Sequence, residues 1–76
     1  MKDTLELIIK SLVTNPEAVS INEVTGEKSI VLEVKVDNAD MGKVIGKQGR
    51  IAKAIREIVR AVAAKEQKRV TVEFID

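Results

Sequence analysis

A chain of 76 residues that is 45% hydrophobic can build one domain around one core, stable by a narrow margin. It has no Cys and no His, which excludes disulfides, thiolate metal sites, and the commonest general base and zinc ligand. The net charge is only +1, and Phe74 is the sole aromatic residue, so the core has to be assembled from Ile, Val, Leu and Ala.

Residues 3–14 are expected to form a helix. Asp3 stands where a cap would, and Glu6 three residues later completes a capping box. Leu5, Ile8, Ile9, Leu12 and Val13 follow helical spacing and make one apolar stripe. Asn15-Pro16 ends the segment, because the residue before proline is pushed out of helical geometry. Residues 18–25 and 29–36 read as two strands. The first is irregularly patterned. In the second, Ile30, Leu32, Val34 and Val36 alternate with Glu33 and Lys35. Thr25-Gly26-Glu27-Lys28 between them looks like a hairpin turn, which makes the pair antiparallel.

Asp37-Asn38-Ala39-Asp40 is rich in capping residues. Met41, Val44 and Ile45 then recur at i, i+3 and i+4, giving a helix of about two turns that Gly46 ends. Residues 50–65 form the strongest helix. Ile51, Ile55, Ile58, Val59 and Val62 cluster on one arc, and Lys53, Arg56, Glu57 and Arg60 fall on the other. Ala52, Ala54, Ala61, Ala63 and Ala64 lie along the flanks. Residues 69–75 make a third strand, with Val70, Val72 and Phe74 on one face. The order α-β-β-α-α-β in so short a chain implies an α+β two-layer sandwich, with three helices on one face of a three-stranded sheet. Residues 1–76 are expected to be a single domain.

Charge is unevenly spread along this order. Residues 1–42 carry four basic and eight acidic groups, net −4. Residues 43–69 carry nine basic groups and two acids, net +7. Such a balance suits an anionic partner on one side of the domain; the alternative is a solvated helix face with a Lys/Arg excess. No run approaches the roughly 18 apolar residues of a membrane span. Met1-Lys2-Asp3 lacks the apolar core of a signal peptide. A cytoplasmic protein without membrane partners is expected.

The basic region opens on Val44-Ile45-Gly46-Lys47-Gln48-Gly49-Arg50. Glycine reaches positive φ and lets a foreign backbone approach closely. The helix that begins after Gly49 points its N-terminal dipole at the loop, where phosphate is a natural occupant. Lys47 and Arg50 add charge, and Lys43 on the preceding helix adds a further contact. A P-loop is excluded, because three residues separate Gly42 from Gly46 and Lys47 is followed by Gln48. The dinucleotide fingerprint is excluded by Val44. Taken alone, G-x-x-G is as well explained by a tight turn between helices.

The apolar pair, the G-x-x-G and the amphipathic helix after it together resemble the KH domain. The element order is like its type II, bacterial-style arrangement, and the likeness runs from Leu5 to Ile75. At this size the chain is similar to the small stand-alone members of that family. The resemblance implies non-catalytic binding of single-stranded RNA, as a chaperone or post-transcriptional regulator. Gly46, Lys47, Gln48 and Gly49 would clamp the backbone of about four nucleotides. Ile45, Ile51 and Ala52 would line a groove with the edge of the strand holding Ile30 and Leu32. Lys47, Arg50 and Lys53 would neutralise phosphates. Ala52 stands where many members carry a larger aliphatic residue, and no aromatic residue is expected near the loop to stack on bases. Weak sequence preference and modest affinity follow. Replacing both glycines by Asp is expected to abolish binding and leave the fold intact. The same resemblance supports a second role, as an interaction module forming a homodimer or pairing with a larger KH-containing partner. Catalysis finds little support: Glu23, Glu33 and Glu73 lie on strands as solvent-facing alternates, and Ser11, Ser20 and Ser29 have no His to activate them. No metal or cofactor is implied.

Overall fold

A computed structural model describes residues 1–75. The elements follow the expected order: α1 (Lys2–Leu12), β1 (Ser20–Thr25), β2 (Ser29–Lys35), α2 (Met41–Ile45), α3 (Arg50–Lys65) and β3 (Arg69–Ile75). Three short 3-10 turns, at Pro16–Ala18, Asn38–Asp40 and Lys47–Gly49, join them. The sheet order is β1-β2-β3. β1 pairs antiparallel with β2, from Ser20↔Lys35 to Thr25↔Ile30. β2 pairs parallel with β3, from Ser29↔Arg69 to Lys35↔Ile75. This is the α+β, type II KH-like arrangement that the element order implied. β2 is therefore the central strand, and β3 is a sheet edge.

The core lies between the sheet and the helices. Ile30, Leu32, Val34 and Val36 are all buried, as the clean alternation required, and Val70 and Val72 join them from β3. Leu5 and Ile9 of α1, Val44 of α2, and Ile55 and Val59 of α3 close the core from the other layer. The opposite sheet face is largely polar. Asn22 Nδ2 donates to Glu33 Oε1 across the β1–β2 pair at 2.8 Å.

Several local expectations give way to tertiary forces. α1 starts at Lys2 with Met1 as its cap residue, and Asp3 makes no capping hydrogen bond. The capping box does not form, because Asp3 lies inside the helix instead of at its cap; Glu6 bonds Lys10, one turn along, at 2.9 Å. That hydrogen bond and the lysine's charge hold the Glu6 carboxyl below its ordinary range. The helix ends at Leu12, ahead of the proline, with Val13 already extended. Leu12, expected in the apolar stripe, is 37% exposed. α2 is a single five-residue turn, preceded by a 3-10 turn that Asp37 caps through Ala39 N–H at 3.0 Å.

The largest correction concerns α3. Its bounds match the expected helix, but its buried face is Ala52, Ile55, Val59 and Ala63. Ile58 is 48% exposed instead. The helix is rolled so that two alanines meet the core, where a small side chain lets helix and sheet approach closely. The apolar edge left over runs through Ile51, Ile58 and Val62.

Candidate nucleic-acid interface

The loop between α2 and α3 is held by three backbone bonds. Gly46 N–H donates to Gly42 C=O at 2.9 Å, Gly49 N–H donates to Gly46 C=O at 3.1 Å, and Arg50 N–H donates to Lys47 C=O. Its two glycines are needed for different reasons. Gly46 has φ 77° and ψ 174°, a region open essentially to glycine alone. A Cβ there would also fall 2.6 Å from Ile51 Cγ1. Gly49 has φ 73° and ψ 15°, which is left-handed, but a Cβ on it would meet nothing within 4 Å. Gln48 is left-handed too, at φ 58° and ψ 25°, an uncommon setting for a residue with a side chain. The result is a tight turn whose tip, Lys47-Gln48, projects into solvent. α3 starts on Gly49 with no side chain capping its first turn, so its dipole end lies open beside the loop.

The expected contact residues come together around this turn. Lys47, Gln48, Arg50 and Lys53 are exposed, while Ile45, Gly46, Gly49 and Ile51 are half-buried. Ala52 faces the core and is closed to solvent. Lys43 is exposed along its stem, and its ammonium stands 3.5 Å from Asp40 Oδ1. Among the described residues Lys47, Arg50 and Lys53 form no ion pair, so their charge is uncompensated by any neighbour.

The expected strand wall is corrected. Ile30 and Leu32 lie on the central strand with both neighbours in place and are buried, so β2 offers no free edge. The sheet edge beside α3 is β3. Arg56 Nε donates to Val72 C=O at 3.2 Å, and its guanidinium lies over the Phe74 ring, 5.4 Å from the centroid.

The family model described as "KhpA/KhpB, KH domain" matches residues 2–74. The chain belongs to this family. It is 65% identical over 75 residues to "RNA-binding protein KhpA" of Clostridium perfringens, covering 99% of this chain and 100% of that protein. It is equally similar to the Clostridium acetobutylicum protein of the same name, with the same coverage. The Aquifex aeolicus protein of that name is 50% identical over 76 residues, 100% of this chain and 96% of the relative.

In this KhpA/KhpB-type KH domain two residues beside the site escaped the sequence reading. Asp40 is fully buried. Its carboxylate accepts from Thr14 Oγ1 at 2.7 Å, Thr14 N–H at 3.1 Å and Asn15 N–H at 3.0 Å. It thereby ties the end of α1 to the start of α2, which delivers the glycine loop. The Thr14 hydroxyl, followed by the Thr14 and Asn15 amides and then Lys43, holds its pKa down at about 2 against the opposing effect of burial. Only its place in a segment with three capping-type residues, Asp37, Asn38 and Asp40, marked it in the sequence. Phe74 is the other. The aromatic residue absent near the loop in sequence is brought to the α3 side by β3, its ring covered by Arg56.

Proposed function

We propose that residues 1–76 act as one non-catalytic domain that binds single-stranded RNA by its backbone, as a chaperone or post-transcriptional regulator in the cytoplasm. The observation that carries this reading is the Gly46–Gly49 turn. Its backbone lies bare where a strand would approach, its tip bears Lys47, and the uncapped start of α3 faces it. Phosphate oxygens have both the charge and the size for such a place. Arg50 and Lys53 follow at the start of the helix and extend the positive surface. The names of the relatives from Clostridium and Aquifex support RNA as the ligand. Grip on the backbone with few base contacts makes affinity salt-dependent and sequence preference weak.

The test is Gly49→Asp rather than the double glycine substitution. A side chain at Gly46 would collide with Ile51, so loss of binding in the double variant would not separate charge from misfolding. Position 49 has open space and a left-handed φ, which Asp tolerates better than most residues. The expected result is a folded protein with at least a roughly tenfold loss of affinity for an oligouridylate, about 1.4 kcal/mol. A folded Gly49→Asp protein with wild-type affinity would end the proposal.

A second reading is favoured by Ile58, nearly half exposed on α3 beside half-buried Ile51 and Val62. That apolar edge supports pairing with a second copy or with another KH-domain protein, and a pair would present two clamps. Sedimentation of the wild type and of Ile58→Asp tests it. A strictly monomeric wild type, alone and with the candidate partner, would remove the reading.

A further inference from the structure

We infer that the chain carries a second phosphate site, in the cleft between the C-terminal half of α3 and the start of β3, which takes the RNA strand after it leaves the glycine loop. This rests on the RNA reading above and extends it to a footprint longer than the loop alone can hold.

The cleft has a volume of about 320 Å³ and is lined by Arg60, Lys68, Arg69, Val70 and Thr71. Three of these five residues are cationic. Among the described residues none of the three has an ion-pair partner, and no carboxylate lines the cleft. The chain brings them together by the turn that ends α3. Gln67 N–H donates to Ala64 C=O at 3.1 Å and Lys68 N–H to Ala63 C=O at 3.1 Å, with Gln67 left-handed at φ 58°. This closes the helix and sets Lys68 and Arg69 beside Arg60, one strand-length from the loop. A backbone donor faces the same cleft. Arg69 N–H is turned toward β2, where it donates to Lys28 C=O at 3.0 Å. The peptide groups of Val70, one residue on, therefore point to the open edge of the sheet. Cations, a hydroxyl from Thr71 and a free edge N–H in one concave place suit a phosphate group.

The cleft is also on the path. Arg50 and Arg60 are ten positions apart on α3, about 15 Å along its axis. Lys53 and Arg56 lie between them on the β3 side, so successive cations rise by about 4.5 to 6 Å from loop to cleft. A strand held at the loop by about four nucleotides continues along this ladder.

The experiment compares an oligouridylate of about four nucleotides with one of about ten. Each is titrated against wild type, Arg60→Gln/Lys68→Gln/Arg69→Gln and Gly49→Asp across a salt series. A charge-matched control, Lys2→Gln/Lys10→Gln/Lys35→Gln, removes the same charge elsewhere. Thermal melts confirm that each variant is folded, and Arg60→Gln alone serves if the triple variant is not. The cleft variant is expected to bind the short oligonucleotide like wild type. For the long one its log-log salt slope should fall by about 2, at roughly 0.7 per phosphate contact, and Arg60→Gln alone should lose about 0.7. Equal weakening of both lengths, no change in slope, or an equal loss in the charge-matched control overturns the inference. If Gly49→Asp leaves short-strand binding intact while the cleft variant loses the long strand, the loop reading fails and the cleft stands alone. A wild type that binds neither length ends both.

Discussion

Asp40 and Thr14, 26 positions apart, are joined by a hydroxyl-to-carboxylate hydrogen bond of 2.7 Å between an exposed threonine and a fully buried carboxylate. With Thr14 and Asn15 N–H on the same carboxylate, the link after α1 is fixed to the residue that starts α2. A buried carboxylate with its hydrogen bonds made is tolerated; one left with an unmatched neighbour is costly. Asp40→Asn puts an amide donor against donors, and should lower Tm more than Asp37→Asn or Glu33→Gln, whose side chains are less buried. Equal melting shifts for the three would show that Asp40 is dispensable.

The same residue sets an acid response. The folded-state pKa of Asp40 is lowered from an ordinary 3.8 to about 2, so the unfolded chain takes up the proton more readily than the folded one. Its contribution to stability is fully present above a pH of about 3.8 and is lost as the pH falls through about 2. Wild type should therefore lose Tm more steeply than Asp40→Asn across that window, and the gap between them should narrow with acidification. A constant gap down to a pH of about 2 would contradict this.

The two loop glycines should respond unequally to Ala. Gly46→Ala meets both the Ile51 side chain, at 2.6 Å from Cγ1, and a glycine-only backbone. A cost of about 3 kcal/mol is expected from strain plus overpacking. Gly49→Ala meets open space and only the left-handed penalty, about 1 kcal/mol. Urea denaturation of both variants measures the difference, and comparable midpoints would refute the contact argument.

How far the sequence could be read follows from which forces are local. The bounds of α3 and β3 were legible because helical and alternating patterns there are long and uninterrupted. The turn of the candidate site was legible because Gly46 and Gly49 mark a backbone need that no other residue meets as readily. The face of α3 was not. Periodicity weights Ile above Ala, whereas close helix–sheet packing selected Ala52 and Ala63 and left Ile58 outside. The sequence does not tell the strand of Ile30 and Leu32 from a sheet edge, because strand order is not written in linear spacing. Only the parallel β2–β3 pairing shows that β3 is the edge beside α3. Asp40, Thr14 and Phe74 act across separations that no local pattern records.

The turn after α3 offers a gain in stability. Gln67 sits left-handed at φ 58° in the position just past the helix end, where glycine is usual. Both bonds of that turn are backbone bonds and would survive its replacement. Gln67→Gly should stabilise by about 1 kcal/mol and raise Tm by roughly 4 to 8 °C. A lowered Tm would mean that the Gln67 side chain contributes more than its backbone strain costs.

Arg56 closes the exposed edge of β3, and its role depends on shape as well as charge. Nε bonds Val72 C=O while the guanidinium plane covers Phe74. Lysine carries the charge but has neither a planar face nor a donor at that depth along its stem. Arg56→Met should keep the packing of the stem and lose about 1 to 2 kcal/mol through the carbonyl bond and the ring contact. Arg56→Lys should recover little of that. A Lys variant as stable as wild type would reduce Arg56 to a generic positive charge. Intermediate stability with restored salt dependence of RNA binding would instead separate a proposed phosphate contact, which any cation could make, from the hold on the edge of β3, which needs a guanidinium.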